Sequence, residues 1–255
     1  MADKYEDLRD RALLSIRAYL DSLDEKKGKI LAYWINDYVR FLQKEATFDP
    51  KKLIRYKRGS IVKAHLGYRI GSEEGGLHYA VVIDVDNALS SPVTTVIPLT
   101  SIKQHTDLSK LHHSNLHLGT EIFDLLNDKI QAEIDETKKL MDNLQKKVEE
   151  TQEAKVDPGT PGAKTEAEAQ RRFVNALIRE ITELESKINH CIKMDSNIQK
   201  MKPGSIALVG QITTISKIRI YDPLYPSDTL SNIRLSDSTM DKLDEKVREL
   251  FTKNT

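Results

Sequence analysis

An apolar repeat in the second half of the chain constrains its folding most. Val174, Leu177, Ile181, Leu184, Ile188, Cys191 and Ile198 alternate intervals of three and four, with one polar interruption at Asp195. A repeat that averages 3.5 residues keeps its side chains on one stripe of an α-helix, and that stripe needs a second helix to cover it. A weaker series, Ile130, Ile134, Met141, Leu144 and Val148, precedes a Pro/Gly segment from Val156 to Glu166. The two series predict helices of about 30 residues and about 45 Å, folded back as an antiparallel coiled-coil hairpin. Leu177, Ile181 and Leu184 would pack on Ile130, Ile134 and Met141, since such stripes are usually core.

On both sides of this tract the period shortens to that of β-strands. Short β-rich runs cover Ser60–Ala64, Tyr79–Val85 and Val93–Leu99, divided by the turn GSEEGG at Gly71–Gly76 and by Ser90–Pro92. The pattern resumes at Ser205–Val209 and Ile212–Ile220, so the hairpin reads as an insertion into one small domain formed by 51–118 and 202–255. A closing helix starts near Ser238, where Ser238 and Asp241 fit a capping box, and Met240, Leu243, Val247 and Leu250 form its buried stripe. At the other end, Leu13, Ile16, Leu20 and Leu23, then Leu31, Trp34, Ile35, Tyr38 and Leu42, predict two amphipathic helices. The charged turn Lys26–Gly28 divides them, and Asp49-Pro50 ends the second. The expected organisation is an N-terminal helical pair (1–48), a first β part (49–121), the hairpin (122–201) and a second β part with the closing helix (202–255).

Charge narrows the function. The 39 basic residues balance 39 acidic ones, which excludes a protein that coats nucleic acid through bulk charge and leaves only a local patch. Such a patch exists: Lys51, Lys52, Arg55, Lys57, Arg58, Lys63 and Arg69 lie in one stretch without an acidic residue, interleaved with Tyr56 and Tyr68. It would bind phosphates and stack bases, or else be a solvated strand face. The single cysteine, Cys191, can form no intrachain disulfide and reads as a structural thiol of a reducing compartment. The charged start MADKYEDLRD lacks the apolar core of a signal peptide, and no run of about 18 apolar residues occurs. The expectation is a soluble cytoplasmic protein without membrane partners.

Four blocks, in order, resemble the PemK/MazF family of toxin-antitoxin ribonucleases: KRGSIVKAHLGYRIGSEEGGLHYAVVIDVDN, SSPVTTVIPLTS, IALVGQITTISKIRI and the terminal LSDSTMDKLDEKVRELF. In that family the first block opens a strand with RG and carries a loop of the form GSEQGG. The second ends a strand with Thr-Ser, and the third has the form EQIRTIDKQR before a closing helix. The resemblance covers about half of the chain and leaves the N-terminal helices and the hairpin unaddressed. It implies an α+β fold: an SH3-like β barrel with an inserted antiparallel coiled-coil hairpin and an N-terminal helical pair. It further implies a homodimer that cuts single-stranded RNA without cofactor or metal and is blocked by an antitoxin, protein or RNA. Barrels of this kind also include gyrase poisons, so the fold does not by itself specify nuclease activity. The alternative is a non-catalytic interaction protein that binds a partner or nucleic acid through its helices.

Metal-free RNA cleavage needs a base for the ribose 2′-hydroxyl, an acid for the departing 5′-oxygen and donors for the phosphorane between them. Its products are a 2′,3′-cyclic phosphate and a 5′-hydroxyl. The family pattern places an arginine one residue after the GG of the loop, followed by proline, and a threonine at the end of the second block. Here those positions hold His78, Tyr79 and Thr100. Imidazole, with an ordinary pKa near 6.5, shuttles protons better than guanidinium but supplies no fixed charge; Arg58, Arg69 or a second subunit would then stabilise the phosphorane. His78 packing at a strand entrance is the plainer reading. Thr100 and Ser101 offer hydroxyls to a phosphate oxygen or to the local backbone, and Lys217 and Arg219 would continue the RNA-binding patch. Glu73 and Glu74 receive no role beyond the groove rim. His112, His113 and His117 invite a zinc reading, but no Cys or carboxylate stands at ligand spacing, so no metal site is expected.

Overall fold

The computed structural model describes residues 2–153 and 163–253. The turn expected over 156–166 lies outside these up to residue 162, and residues 163–166 already belong to a helix. The chain divides into two compact units: 1–100, 105–118 and 205–255 form one, and 101–104 with 119–204 form the other.

The first unit is α+β. Helices α1 (Ala2–Ser22) and α2 (Glu25–Glu45) precede strands β1 (Ile61–His65), β2 (Leu77–Val82), β3 (Val93–Ser101) and β4 (Asn115–Gly119). Strands β5 (Ser205–Leu208), β6 (Thr213–Ser216) and β7 (Ile220–Asp222) follow the other unit, and helix α5 (Asp237–Phe251) closes the chain. The break between α1 and α2 falls at Leu23–Asp24 rather than at the expected Lys26–Gly28. Asp24 caps α2 by accepting from the Lys27 N–H at 2.9 Å, which draws Gly28 into the helix. Likewise α2 stops at Glu45, before Asp49-Pro50, and Asp49 instead caps a short 3-10 turn at Pro50–Lys52. Ser236, not Ser238, caps α5 by accepting from Thr239. Met240 and Leu243 are buried, while Val247 and Leu250 are half-buried.

The seven strands form one sheet in the order β4-β5-β3-β2-β1-β7, with β6 also on β3. The pairs β1–β2, β1–β7, β2–β3 and β3–β6 are antiparallel. The sheet is not closed, since β4 and β7 end it without pairing to each other. Val62, Ala64 and Leu66 alternate with outward residues along β1 and meet Ala80 and Val82 of β2, Val96 of β3, Ile215, Ile220 and Tyr56 in a buried cluster. This is the period-two burial of a strand with one face inward. Tyr56, expected to stack bases, is 1% exposed and donates its hydroxyl to the Pro223 carbonyl at 2.8 Å; burial first, and then Asp228 and Asp222, raise its pKa.

The second unit is helices α3 (Glu121–Glu153) and α4 (Ala163–Gln199). They run antiparallel, since Glu136 meets Lys187 while Lys147 meets Glu180. The inward rows of α4 are Leu177, Leu184, Cys191 and Ile198 with Glu180, Lys187 and Met194. Ile181 and Ile188, expected in the seam, are 38% and 39% exposed. The two alternative rows flank the Leu177 row on opposite sides of the helix, and α3 takes the side that carries the ion-pairing Glu180 and Lys187. On α3, Leu140 rather than Met141 lies inward, Met141 being 48% exposed.

Candidate active site

The GSEEGG segment between β1 and β2 folds back toward the end of β1 because its last two glycines, Gly75 and Gly76, allow a close approach. The Gly76 N–H donates to the Gly67 carbonyl and the Leu66 N–H to the Gly76 carbonyl, each at 2.7 Å. A Cβ on Gly75 would lie 2.8 Å from the Gly67 carbonyl oxygen, and Gly76 has a φ of +86°, a left-handed backbone that favours glycine. From the far side Gln211, in the 3-10 turn after β5, accepts from the Glu74 N–H at 2.5 Å and donates to the Ser72 carbonyl at 3.1 Å. The loop is therefore gripped at both ends. Its outer wall, with Arg69, Pro98 and Thr213, lines a cleft of about 480 Å³.

This grip brings Glu74 to His78. Nε2 of His78 lies 2.9 Å from Oε1 of Glu74, with the two side chains 28% and 24% exposed. The other ring nitrogen, Nδ1, faces the Leu99 carbonyl at 3.3 Å. A carbonyl only accepts, so the ring makes this bond in the form that has its N–H at Nδ1. Thr100 comes from β3. The β2–β3 ladder ends at Ala80 and Pro98, and His78 and Thr100 each stand two residues beyond that last pair. The two residues named from the sequence as catalytic therefore share one end of one strand pair.

The predicted RNA-binding residues divide. Arg219 and Arg69 approach the site: Arg219 Nε donates to the His65 carbonyl and Arg69 Nε to the Leu66 carbonyl, each at 2.8 Å. Burial, then the charge of Arg69, lowers the pKa of Arg219. Arg58 is elsewhere. It donates to the Ile83 carbonyl and pairs with Asp244 of α5, five residues along β2 from His78 or roughly 16 Å. Lys217 is 1% exposed and donates to the Ala88 carbonyl at 3.0 Å beneath the Tyr56 ring; burial lowers its pKa. Its side chain turns into the core instead of toward a ligand. Ser101 ends β3, is exposed, and falls in the other compact unit.

Two residues that sequence reasoning passed over complete the neighbourhood. His65 accepts from the Gly67 N–H through Nδ1 at 3.0 Å, and Trp34 of α2 stacks on its ring at 4.4 Å. Burial holds its pKa down, against the charge of Asp37 and with those of Arg219 and His78. The Arg219 guanidinium lies 5.7 Å from the Trp34 ring centroid, and Asp37 of α2 accepts from the Tyr221 hydroxyl at 3.0 Å. One face of α2 thus rests on the sheet beside the candidate site. The one-residue offset between Trp34 and Ile35 in its apolar pattern gave no hint that the indole would cover a histidine. The rings of His112 and His113 lie with centroids 4.3 Å apart, tilted by 42°, and among the described residues no three His, Cys, Asp or Glu side chains come together as a metal site.

The chain from 57 to 157 matches the model of the family described as PemK-like, MazF-like toxin of type II toxin-antitoxin system. This segment holds β1 to β4, the loop, His78, Thr100 and α3, and stops short of Gln211 and Arg219. No curated protein matches the chain. Among the described residues no helix is long and apolar enough to cross a membrane.

Proposed function

We propose that this chain, which carries a PemK-like, MazF-like toxin domain over residues 57–157, is the toxin of a type II system and a metal-independent endoribonuclease acting on single-stranded RNA. The observation that carries the reading is the Glu74–His78 contact at 2.9 Å, at the end of the β2–β3 pair that also carries Thr100 and in the same unit as the cations Arg69 and Arg219. A carboxylate and an imidazole in contact can divide the two proton transfers between them. Glu74 takes the 2′-hydroxyl proton while the 2′-oxygen attacks phosphorus. Nε2 of His78 gives its proton to the 5′-oxygen as the P–O bond breaks. The products are a 2′,3′-cyclic phosphate and a 5′-hydroxyl, and the proton on Glu74 returns to His78 for the next cycle. Thr100 donates to a non-bridging oxygen, and Arg69 and Arg219 hold the flanking phosphates.

A type II toxin works in the cytoplasm and is held by a protein antitoxin. In this reading the open sheet is the family's SH3-like barrel, split by the coiled-coil hairpin as an insertion. A second reading, a non-catalytic interaction protein, draws on the inward turn of Arg58, Lys217 and Tyr56, which removes three of the expected RNA contacts.

The test is cleavage of a single-stranded RNA by the full chain in excess chelator, with the new ends sequenced. Cyclic-phosphate ends are expected, and His78→Ala lowers the rate by roughly 10²- to 10⁴-fold, the range for one acid-base group, with binding of uncleavable RNA nearly unchanged. A folded His78→Ala protein that cuts at the wild-type rate would refute the assignment, and a wild-type protein that binds RNA without cutting it would favour the second reading.

A further inference from the structure

The helical unit has a second apolar stripe that its own partner helix leaves uncovered. On α4, Val174, Ile181 and Ile188 form one row of sevens, and Ile178, Glu185 and Ile192 the adjacent one. The five apolar side chains are 38–62% exposed. At about 100° per residue this stripe lies roughly 100° around the helix from the rows that face α3. A helix in a four-helix bundle carries two such faces, one for each neighbour. Beside the stripe, Ile134 and Met141 of α3 join Ile188, Cys191 and Ile192 around an apolar cleft of about 410 Å³.

We propose that this face joins two copies of the chain, α4 against α4, antiparallel about a two-fold axis at residues 182–183. In an antiparallel pair the layers match one row of each helix with the other row of its partner, and a two-fold contact must be self-complementary. The stripe meets both conditions. Ile178 falls against Ile188 of the partner subunit, Val174 against Ile192 of the partner subunit, and Ile181 against Glu185 of the partner subunit. The next layer outward sets Arg171 against Asp195 of the partner subunit, opposite charges at both ends of the contact.

Parallel pairing would instead stack Arg171, Glu185 and Asp195 each on its own copy, so the charges choose the antiparallel register. The flank facing the axis is Asn175, Thr182 and Asn189, all uncharged, and no like charges meet there. Glu185 is the polar residue in the seam, which costs stability and pins the register. The cleft at Ile188 and Ile192 lies where Ile178 of the partner subunit enters. The inference makes no use of RNA cleavage and stands or falls apart from the ribonuclease reading.

The test uses the full chain in two ways. Sedimentation equilibrium at tens of micromolar should give a dimer, and Ile181→Lys with Ile188→Lys should weaken it at least tenfold. Both positions are exposed in the single chain, so circular dichroism should show unchanged helix content. Thr182→Cys, at the axis, should form a disulfide-linked dimer on mild oxidation, whereas Glu183→Cys, on the far side of α4, should not. A monomeric wild-type chain overturns the proposal, as does a dimer indifferent to the two lysines. Equal cross-linking at 182 and 183 overturns it too, and so does a dimer dissociated by Leu13→Lys in α1 but not by the changes in α4.

Discussion

Gln211→Ala isolates the link between loop and chemistry. The amide makes two hydrogen bonds to the loop, at 2.5 Å from the Glu74 N–H and 3.1 Å to the Ser72 carbonyl. At a net value of about 0.5–1.5 kcal/mol each, together they favour the closed loop by about 1–3 kcal/mol. Their loss shifts the loop toward open conformers by roughly 5- to 150-fold, at about 1.4 kcal/mol per factor of ten. If Glu74 must lie against Nε2 of His78 for turnover, the single-turnover cleavage rate falls by up to that factor, about 30-fold at the midpoint of about 2 kcal/mol. RNA affinity changes less, because Arg69 and Arg219 are held by the Leu66 and His65 carbonyls instead of by Gln211. The assay is cleavage of a fluorophore-quencher RNA under saturating enzyme, beside hydrogen exchange of the loop amides. Global urea unfolding should move little, since the loop is a local opening unit. A variant whose loop amides exchange faster while RNA is cut at the wild-type rate refutes the requirement for Glu74. A variant with no faster exchange refutes the grip.

Gly75→Ala strains the same loop from inside, because the new Cβ meets the Gly67 carbonyl oxygen at 2.8 Å and Arg69 Cγ at 3.0 Å; a loss of about 1–3 kcal/mol in urea unfolding is expected, and unchanged stability would mean that the loop does not pack on β1. His65 supplies a pH signature. Burial, opposed by Asp37, holds its folded pKa below 6.5, so its contribution to stability is complete above 6.5 and fades as the pH falls from there through the folded value. Emission from Trp34, the only tryptophan, should be quenched by the charged ring with a midpoint below 6.5, and a midpoint at or above it contradicts the burial of His65.

Periodicity made the elements legible, whereas rotation and capping stayed hidden. Short β-rich runs between turn segments identified β1 to β3 within a few residues, because each strand carries a stretch of buried apolar residues. In α4 the apolar count favoured Ile181 and Ile188 over Glu180 and Lys187. Hydrophobicity cannot choose between two rows when the ion-pair partners, Glu136 and Lys147, lie more than thirty residues away in sequence. The break before α2 falls ahead of the expected Lys26–Gly28 turn because Asp24 is the residue whose side chain accepts from a helical N–H. At the site, His78 and Thr100 came from the family resemblance, and the β-rich runs put them beside strand ends. Glu74, Gln211, His65 and Trp34 were invisible as a group because four separate segments bring them together. Lys217 and Arg58 carried the right charge in the right blocks, yet carbonyls of Ala88 and Ile83 capture them.

Glu74 and His78 make better sense as one change than as two. The family loop resembled here has the form GSEQGG with an arginine to follow, and this chain has glutamate at the fourth loop position and histidine in place of the arginine. The two departures stand four residues apart in sequence and 2.9 Å apart in the structure. A guanidinium is always charged, while an imidazole exchanges its second proton near neutrality and can donate from both nitrogens only when it holds that proton. The Leu99 carbonyl faces one nitrogen at 3.3 Å. A glutamine amide at position 74 would face the other with a neutral oxygen, whereas a carboxylate faces it with a charge, and charge-assisted hydrogen bonds are roughly twice as strong. The exchange thus sets an imidazole against a carboxylate where the resembled family has an arginine, and in the proposed reaction that pair supplies what arginine lacks, a group that can both take up and release a proton.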